Sequence, residues 1–138
     1  MTAPTLAEVR DDLESVLELI DGWRATAWVG NQINPPQFVV SRLPYDPRLT
    51  LNSAKAIYHF QVTAYAPFAA TVESEKLLDD LADPRSDGSL IATVQNGSNW
   101  SVTIDYAQVV NVGQVSAVQF GNDAADYLAC PFEIEVVW

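Results

Sequence analysis

The stretch that decides the fold runs from Tyr127 to Val137 and reads YLACPFEIEVV. Over its second half, apolar and acidic residues alternate. The apolar series is Phe132, Ile134, Val136 and Trp138, and the acidic series between them is Glu133 and Glu135. Because successive side chains of a β-strand point to opposite faces, this alternation predicts a strand with one buried and one polar face.

Two upstream segments alternate in the same way, at Ile57–Tyr65 and at Trp100–Tyr106. In the first, the apolar residues are Tyr58, Phe60, Val62 and Ala64, against His59, Gln61 and Thr63. In the second they are Trp100, Val102, Ile104 and Tyr106, against Ser101, Thr103 and Asp105. Both segments are therefore predicted as strands of one sheet, and further strands are predicted at Phe38–Leu43 and Val115–Phe120.

The N-terminal segment is predicted to be a helix that begins after Thr5 and ends before Gly22. Thr5 is a favoured N-cap residue, and Glu8 three positions later completes a capping box. Apolar residues then recur at three- and four-residue spacing: Leu6, Val9, Leu13, Val16, Leu17 and Ile20. Such a stripe is typical of a helix that packs one side against a core.

Two further helices are predicted in the middle of the chain. One is capped by Thr71, extends to about Ala82 and is stopped by Asp83-Pro84. Its apolar stripe consists of Val72, Leu77, Leu78 and Leu81. The other begins near Asp87 or Ser89 and carries Leu90, Ile91 and Val94.

These patterns predict an α+β fold: a two-layer domain in which a mostly antiparallel or mixed sheet of four to five strands carries helices packed on one face. A chain of 138 residues fits a single domain, here residues 1–138.

The charge balance excludes several kinds of partner. Lys and Arg number 7 against 18 Asp and Glu, which gives a formal net charge of −11. Sequence-specific nucleic-acid binding and docking on an anionic membrane both need clustered cations, so neither is expected. The N-terminus has no basic flank followed by an apolar run, and the single cysteine fits a reducing compartment, so we expect a protein of the cell interior.

The sequence offers few groups for catalysis or metal binding. His59 lies within a predicted strand without a partner motif, and Cys130 lies in an apolar strand, so they are interpreted as a polar strand residue and a buried core residue. One His and one Cys make a zinc site atypical. We therefore expect no catalytic residues, no metal and no cofactor. With 18 acidic residues, a carboxylate pair that acts in an enzyme stays open as an alternative.

Several residues are candidates for contacts with other proteins. Trp100 is assigned to the core, whereas Trp23, Trp28 and Trp138 lie near the ends of elements and suit either an interface or the core. The predicted loop from Pro44 to Lys55 is longer than most hairpin loops. In and beside this loop are three of the seven basic residues, Arg42, Arg48 and Lys55, and we expect them to meet acidic helix faces on a neighbouring subunit. The alternative that stays open is a flexible, exposed loop without such a contact.

The order of these segments resembles the tail-terminator family of long, non-contractile-tailed bacteriophages. The resemblance covers nearly the whole chain, and its most distinctive part is INPPQFVV at Ile33–Val40. The other matching segments are Gly22–Ala25, Tyr58–Val62, Leu77–Pro84, Ser89–Ile91 and Tyr127–Val136.

The resemblance implies a structural protein of the virion, without catalysis or cofactor. It implies a homo-oligomeric ring, typically a hexamer, that caps the finished tail tube and joins it to the head-side stopper or connector protein. Such a protein is located in the tail and neck of the virion, and in the host cytoplasm during assembly.

If the domain forms such a ring, DNA passes through its centre. The polar sheet face offers Asp105, Glu133 and Glu135 as acidic residues that face the lumen and repel phosphates. The simpler alternative is that these acids keep an outward-facing sheet soluble.

Three other functions stay open at this point. The nearest is another neck protein, with a stopper or head-completion role. The second is a small-molecule-binding or enzymatic α+β domain that uses a carboxylate pair. The third is an inhibitory mimic of nucleic acid, which requires acids clustered on one rigid face.

Overall fold

A computed structural model describes residues 4–27, 34–44, 51–52, 55–68, 71–119 and 126–138. These residues form a mixed sheet with three α-helices on one of its faces, so the predicted two-layer α+β fold is confirmed. Five strands lie side by side, and two short strands extend them.

The strands and helices are labelled here in chain order. The strands are β1 (Arg24–Thr26), β2 (Gln37–Arg42), β3 (Leu51–Asn52), β4 (Lys55–Pro67), β5 (Tyr106–Val112), β6 (Ser116–Gln119) and β7 (Asp126–Val137). The α-helices are α1 (Leu6–Leu17), α2 (Thr71–Ala82) and α3 (Leu90–Gln95), and a 3₁₀ turn follows at Gly97–Asn99.

The centre of the sheet is the antiparallel pair β4 and β7, which are in register from Ile57–Val137 to Pro67–Tyr127. On the far side of β4 lies β2, antiparallel to it, and β1 pairs parallel with β2 at the edge. β3 pairs with the first residues of β4. On the far side of β7, β5 and β6 follow one another along the same edge.

The predicted alternation of the two central strands is confirmed. The face toward the helices is fully or almost fully buried and carries Phe60, Val62, Ala64, Ala66, Phe132, Ile134 and Val136. These side chains form one apolar cluster with residues of all three helices, among them Leu13, Leu78 and Leu90. Burying a large apolar side chain contributes about 1.5–3 kcal/mol, so this single layer supplies the main stabilisation of the fold.

The first helix begins as predicted and ends earlier. Thr5 Oγ1 accepts a hydrogen bond from the Glu8 amide at 3.2 Å, which confirms the N-cap. The helix ends at Leu17, and the chain tightens because the amides of Leu19 and Ile20 bond to the third residue before them. Gly22 then takes a positive φ of 84°, a conformation that glycine adopts without steric cost.

The helix α2 ends at Ala82 as predicted, and Thr71, the predicted cap, is its first residue. The predicted apolar stripe is partly wrong. Leu78 and Leu81 are buried, whereas Val72 and Leu77 are 65% and 40% exposed. The helix turns Ser74 toward the sheet instead, because the Ser74 hydroxyl donates a 2.6 Å hydrogen bond to the Pro67 carbonyl. In α3, Ser89 is the N-cap, which confirms the predicted start at Ser89 rather than the one at Asp87.

The predicted strand at Trp100–Tyr106 is wrong, since the strand begins only at Tyr106. Trp100 is buried as expected, and its indole N–H donates to the Val94 carbonyl at 2.9 Å. Asp12 of α1 then accepts hydrogen bonds from the amides of Ser101 and Val102, at 2.8 and 3.2 Å. The helices therefore hold the backbone at Ser101 and Val102, and Trp100, Val102 and Ile104 pack in or against the core without belonging to a strand. Tyr106, which was predicted on the same apolar face, is instead 46% exposed as the first residue of β5. Ser101 and Thr103 consequently do not belong to the polar sheet face.

The edge strand β1 was not predicted from the sequence. At its end, the Ala27 backbone is held by α1: the Glu14 carboxylate accepts from the Ala27 amide at 3.2 Å, and the Arg10 side chain donates to the Ala27 carbonyl. Burial is the main cause of a raised pKa of Glu14 and a lowered pKa of Arg10. These contacts hold the end of the three-residue strand β1, and they partly remove the Glu14 and Arg10 side chains from solvent.

A close approach between Gly113 and Pro131 gives a test of the packing along β7. A Cβ at Gly113 would lie 2.4 Å from Pro131 Cγ, so Gly113→Ala should lower the free energy of unfolding by about 1–3 kcal/mol. The matched control is Gly97→Ala, because a Cβ at Gly97 meets nothing within 4 Å. Urea denaturation measures both variants, and equal stability of the two would contradict this packing.

Candidate functional site: the open face of the sheet

The open face is the side of the sheet opposite the three helices. Its central part comes from alternate residues of β4 and β7, with one residue of β2 and two of β5. The members are His59, Gln61, Thr63 and Tyr65 of β4, Tyr127, Glu133 and Glu135 of β7, Val39 of β2, and Tyr106 and Gln108 of β5. The register of β4 with β7 sets His59 beside Glu135, and Gln61 beside Glu133.

His59 lies between two carboxylates at the polar end of this face. Its Nδ1 is 2.6 Å from Glu133 Oε2, and its Nε2 is 3.0 Å from Glu135 Oε2. A carboxylate only accepts hydrogen bonds, and a neutral imidazole has one N–H whereas the protonated ring has two. Both contacts are therefore hydrogen bonds only when the ring is protonated. The three side chains are partly exposed, between 20% and 35%.

Two side chains of β5 also donate hydrogen bonds to Glu135. The Tyr106 hydroxyl donates to Glu135 Oε1 at 3.0 Å, and the Gln108 amide donates to the same oxygen at 3.3 Å. The hydrogen bond to Glu135 is the main cause of a raised pKa of Tyr106. Both oxygens of this carboxylate are thus engaged within the protein.

All three predicted lumen-facing acids have a partner in the fold. Glu133 and Glu135 contact His59, and Asp105 forms a 2.9 Å ion pair with Lys55. Glu133 and Glu135 belong to the open face, whereas Asp105 precedes β5, so the sheet register does not place it on that face as predicted. Since both nitrogens of His59 face carboxylates, the ring is held in place rather than aimed at an external substrate.

The opposite end of the open face is apolar. Val39 and Tyr127 are buried there, and Tyr65 and Val118 pack against them. The rings of Tyr65 and Tyr127 meet edge to face, with centroids 6.2 Å apart, and burial raises the pKa of Tyr65. The open face thus changes along its length from an ionic cluster to an aromatic one.

The predicted interface residues lie at different places in the fold. Trp23 belongs to the core and stacks on Phe38, with ring centroids 4.5 Å apart. Trp138 is partly buried, stacks on Tyr58, and donates from its indole N–H to the Pro4 carbonyl at 2.7 Å. Trp28 and Arg48 lie outside the described residues.

The basic residues predicted beside the long loop are separated in the same way. Arg42 is exposed at the end of β2, while Lys55 is engaged with Asp105. Of the loop itself, residues 45–50 and 53–54 lie outside the described residues, and Asn52 already pairs with Lys55 in the sheet.

Cys130 is a buried core residue, as predicted. It is 2% exposed, and burial is the main cause of its raised pKa, which disfavours the nucleophilic thiolate. Among the described residues, no group of three or more His, Cys, Asp or Glu side chains is arranged to hold a metal ion. None of the described helices is long and apolar enough to cross a membrane.

Comparison with known proteins adds no relative, since no protein-family model matches the chain and no curated protein matches it significantly.

The cluster around Glu135 predicts a specific change in tyrosine ionisation. Neutral Tyr106 donates to Glu135, so its pKa in the folded protein is raised. The stability from this contact is fully present below the ordinary tyrosine pKa, about 10, and is lost as the pH rises through the higher folded value. Glu135→Gln should return the pKa of Tyr106 toward its ordinary value, because the carboxylate acceptor is gone.

Absorbance titration of the phenolate measures this shift, with Tyr106→Phe to assign the signal. Glu133→Gln is the matched control, since it removes the other carboxylate that contacts His59. A Tyr106 titration that is identical in Glu135→Gln and in the unaltered protein would show that the pairing is wrong.

Proposed function

We propose that the protein is a structural component of a long, non-contractile phage tail, which closes as a ring on the finished tail tube and joins it to the head-side neck protein. Support comes from the ordered set of segments that resembles the tail-terminator family. In this proposal the ring is a hexamer, and it has no catalytic role and no cofactor.

The observation that carries the proposal is the one-sided architecture of the fold. All three described helices pack on one face of the sheet, so the β4–β7 face is left to meet solvent, DNA or another subunit. A domain of this kind provides an outer helical layer and an inner sheet layer when copies are arranged around an axis. The polar end of the open face suits the inner position.

A lumen with this chemistry does not hold DNA. The polar end exposes the carboxylates of Glu133 and Glu135, each of which contacts His59. The described residues of the open face offer phosphates no cluster of cations, and the hydrogen bonds within the protein leave few donors to contact them. The duplex would therefore slide past this surface without strong attraction.

The second candidate is another neck protein with a stopper or head-completion role, for which a ring with a non-adhesive lumen is equally suitable. The two differ in the partner that they bind first. A terminator binds the end of the tail tube, whereas a stopper binds the head.

Elongation of tail tubes from purified tube protein tests the proposal. Added chain should stop elongation and label one end of each tube in electron micrographs, because a closed ring blocks addition of further subunits. An unrelated acidic protein of similar size serves as the control. Unchanged tube lengths without end labelling would contradict the terminator role, and binding to heads alone would support the stopper.

Charge reversal at the polar end tests the lumen assignment. Particles that carry Glu133→Lys with Glu135→Lys should assemble but release DNA slowly, because the new cations bind phosphates. The delay should shrink as salt rises and screens the charge. Glu75→Lys with Asp87→Lys is the matched control, since it makes the same charge change at two exposed positions.

The readout is the rate of DNA release at low and high salt, in particles shown to contain the variant ring. Release at the unaltered rate in low salt would rule out a lumen position for this face and would favour the solubility role of the acids.

A further inference from the structure

A small apolar pocket lies between the start of α1 and the neighbouring strands β2 and β4. Its volume is about 260 Å³, and it is lined by Leu6, Ala7, Arg10, Arg42 and Phe60. Three of these residues are apolar and two carry guanidinium groups. The chain has only seven basic residues, so the pairing of two of them at one pocket is a concentrated positive charge on a strongly acidic protein.

The guanidinium of Arg10 is fixed in position by the fold. It donates to the carbonyl of Val40 at 3.0 Å and to the carbonyl of Ala27. Burial and the positive charge of Arg42 lower the pKa of Arg10, whereas the negative charge of Asp11 raises it. Two guanidinium groups therefore line the same apolar pocket, and both would attract a carboxylate placed at its rim.

A matching surface lies on α2 of the same chain. Leu77 is 40% exposed, and Glu73 and Asp80 are four residues before it and three residues after it. Residues at these spacings share one side of a helix. The α2 surface thus presents one apolar side chain between two acidic residues, whereas the pocket presents apolar walls beside two cationic side chains.

We propose that the pocket of one subunit receives Leu77 of a second copy, with Asp80 beside Arg42 and Glu73 beside Arg10. The contact rests on the proposed ring and specifies its subunit interface. Glu73 already lies 3.8 Å from Lys76, but both side chains are highly exposed, and such a pair contributes little. Asp80 is therefore the stronger of the two acidic anchors.

The position of the two surfaces makes this contact head-to-tail. The pocket includes Phe60, near the middle of β4, whereas α2 is tied to Pro67 at the end of that strand through Ser74. The residues that line the pocket and the three residues of the α2 surface are different, so the contact joins two different surfaces of the chain. A contact between two different surfaces adds copies in one direction, and it closes into a ring when the rotation per copy allows it.

Charge exchange tests the contact. Arg42→Glu and Asp80→Lys should each weaken self-association of the full chain at least tenfold, because each places like charges together. The double variant Arg42→Glu with Asp80→Lys should recover most of the loss, since the pair is restored with reversed sign. Arg24→Glu is the matched control, because it makes the same charge change on β1, outside the pocket.

Sedimentation velocity, with the chain alone and with tail tubes, measures assembly, and circular dichroism verifies the fold of each variant. Full assembly of Arg42→Glu would overturn the contact while leaving the ring intact. Loss in both single variants without recovery in the double variant would overturn the assignment of α2 as the occupant. An unaltered chain that stays monomeric at millimolar concentration, alone and with tubes, contradicts the proposed function and with it this contact.

Discussion

The antiparallel pairing of β4 with β7 is the constraint on which the rest of the structure depends. It joins eleven residue pairs, and its register assigns every residue of both strands to one of two faces. Phe60 and Ile134 meet on the helical side, while His59 and Glu135 meet on the open side. A shift by one residue would send the acids into the core and the phenylalanines to the surface, so burial fixes the register strongly.

The central strand β7 contains a proline, and the neighbouring strands accommodate it. Pro131 has no amide hydrogen and lies in a central strand, where proline is normally excluded. Its carbonyl accepts from the Gly113 amide at 2.7 Å, so its hydrogen-bonding side faces the gap between β5 and β6 rather than β4. Pairing along this edge of β7 is therefore split between β5 and β6, at the position where Pro131 has no amide hydrogen to donate. Gly113 has no Cβ, which allows its close approach to Pro131.

The sequence predicts best those features that depend on local spacing. The Thr5 cap, the end of α2 and the alternation in β4 and β7 follow from neighbours a few residues apart. The Trp100–Tyr106 segment alternates equally well but is held by Asp12, nearly ninety residues earlier in the chain. Alternating apolar residues indicate that every second side chain is buried. They do not show whether a sheet or a group of helices buries them.

For the same reason, only part of the candidate site could be predicted from the sequence. Both acids on β7 were recognisable as polar-face residues, but the partners of His59 are 74 and 76 residues away along the chain. Only the register of β4 with β7 brings them together. Tyr106 was assigned to the apolar face, and its bond to Glu135 depends on where β5 begins. The Arg10–Arg42 pocket likewise combines a helix and a strand that no local motif connects.

The proposed ring can be measured by native mass spectrometry of the purified chain, over a range of concentrations and with tail tubes present. We expect a closed assembly at six times the chain mass of 15.1 kDa, without a continuous ladder of larger species. A chain that remains a monomer or a dimer under all of these conditions would contradict the ring and the tail role that depends on it.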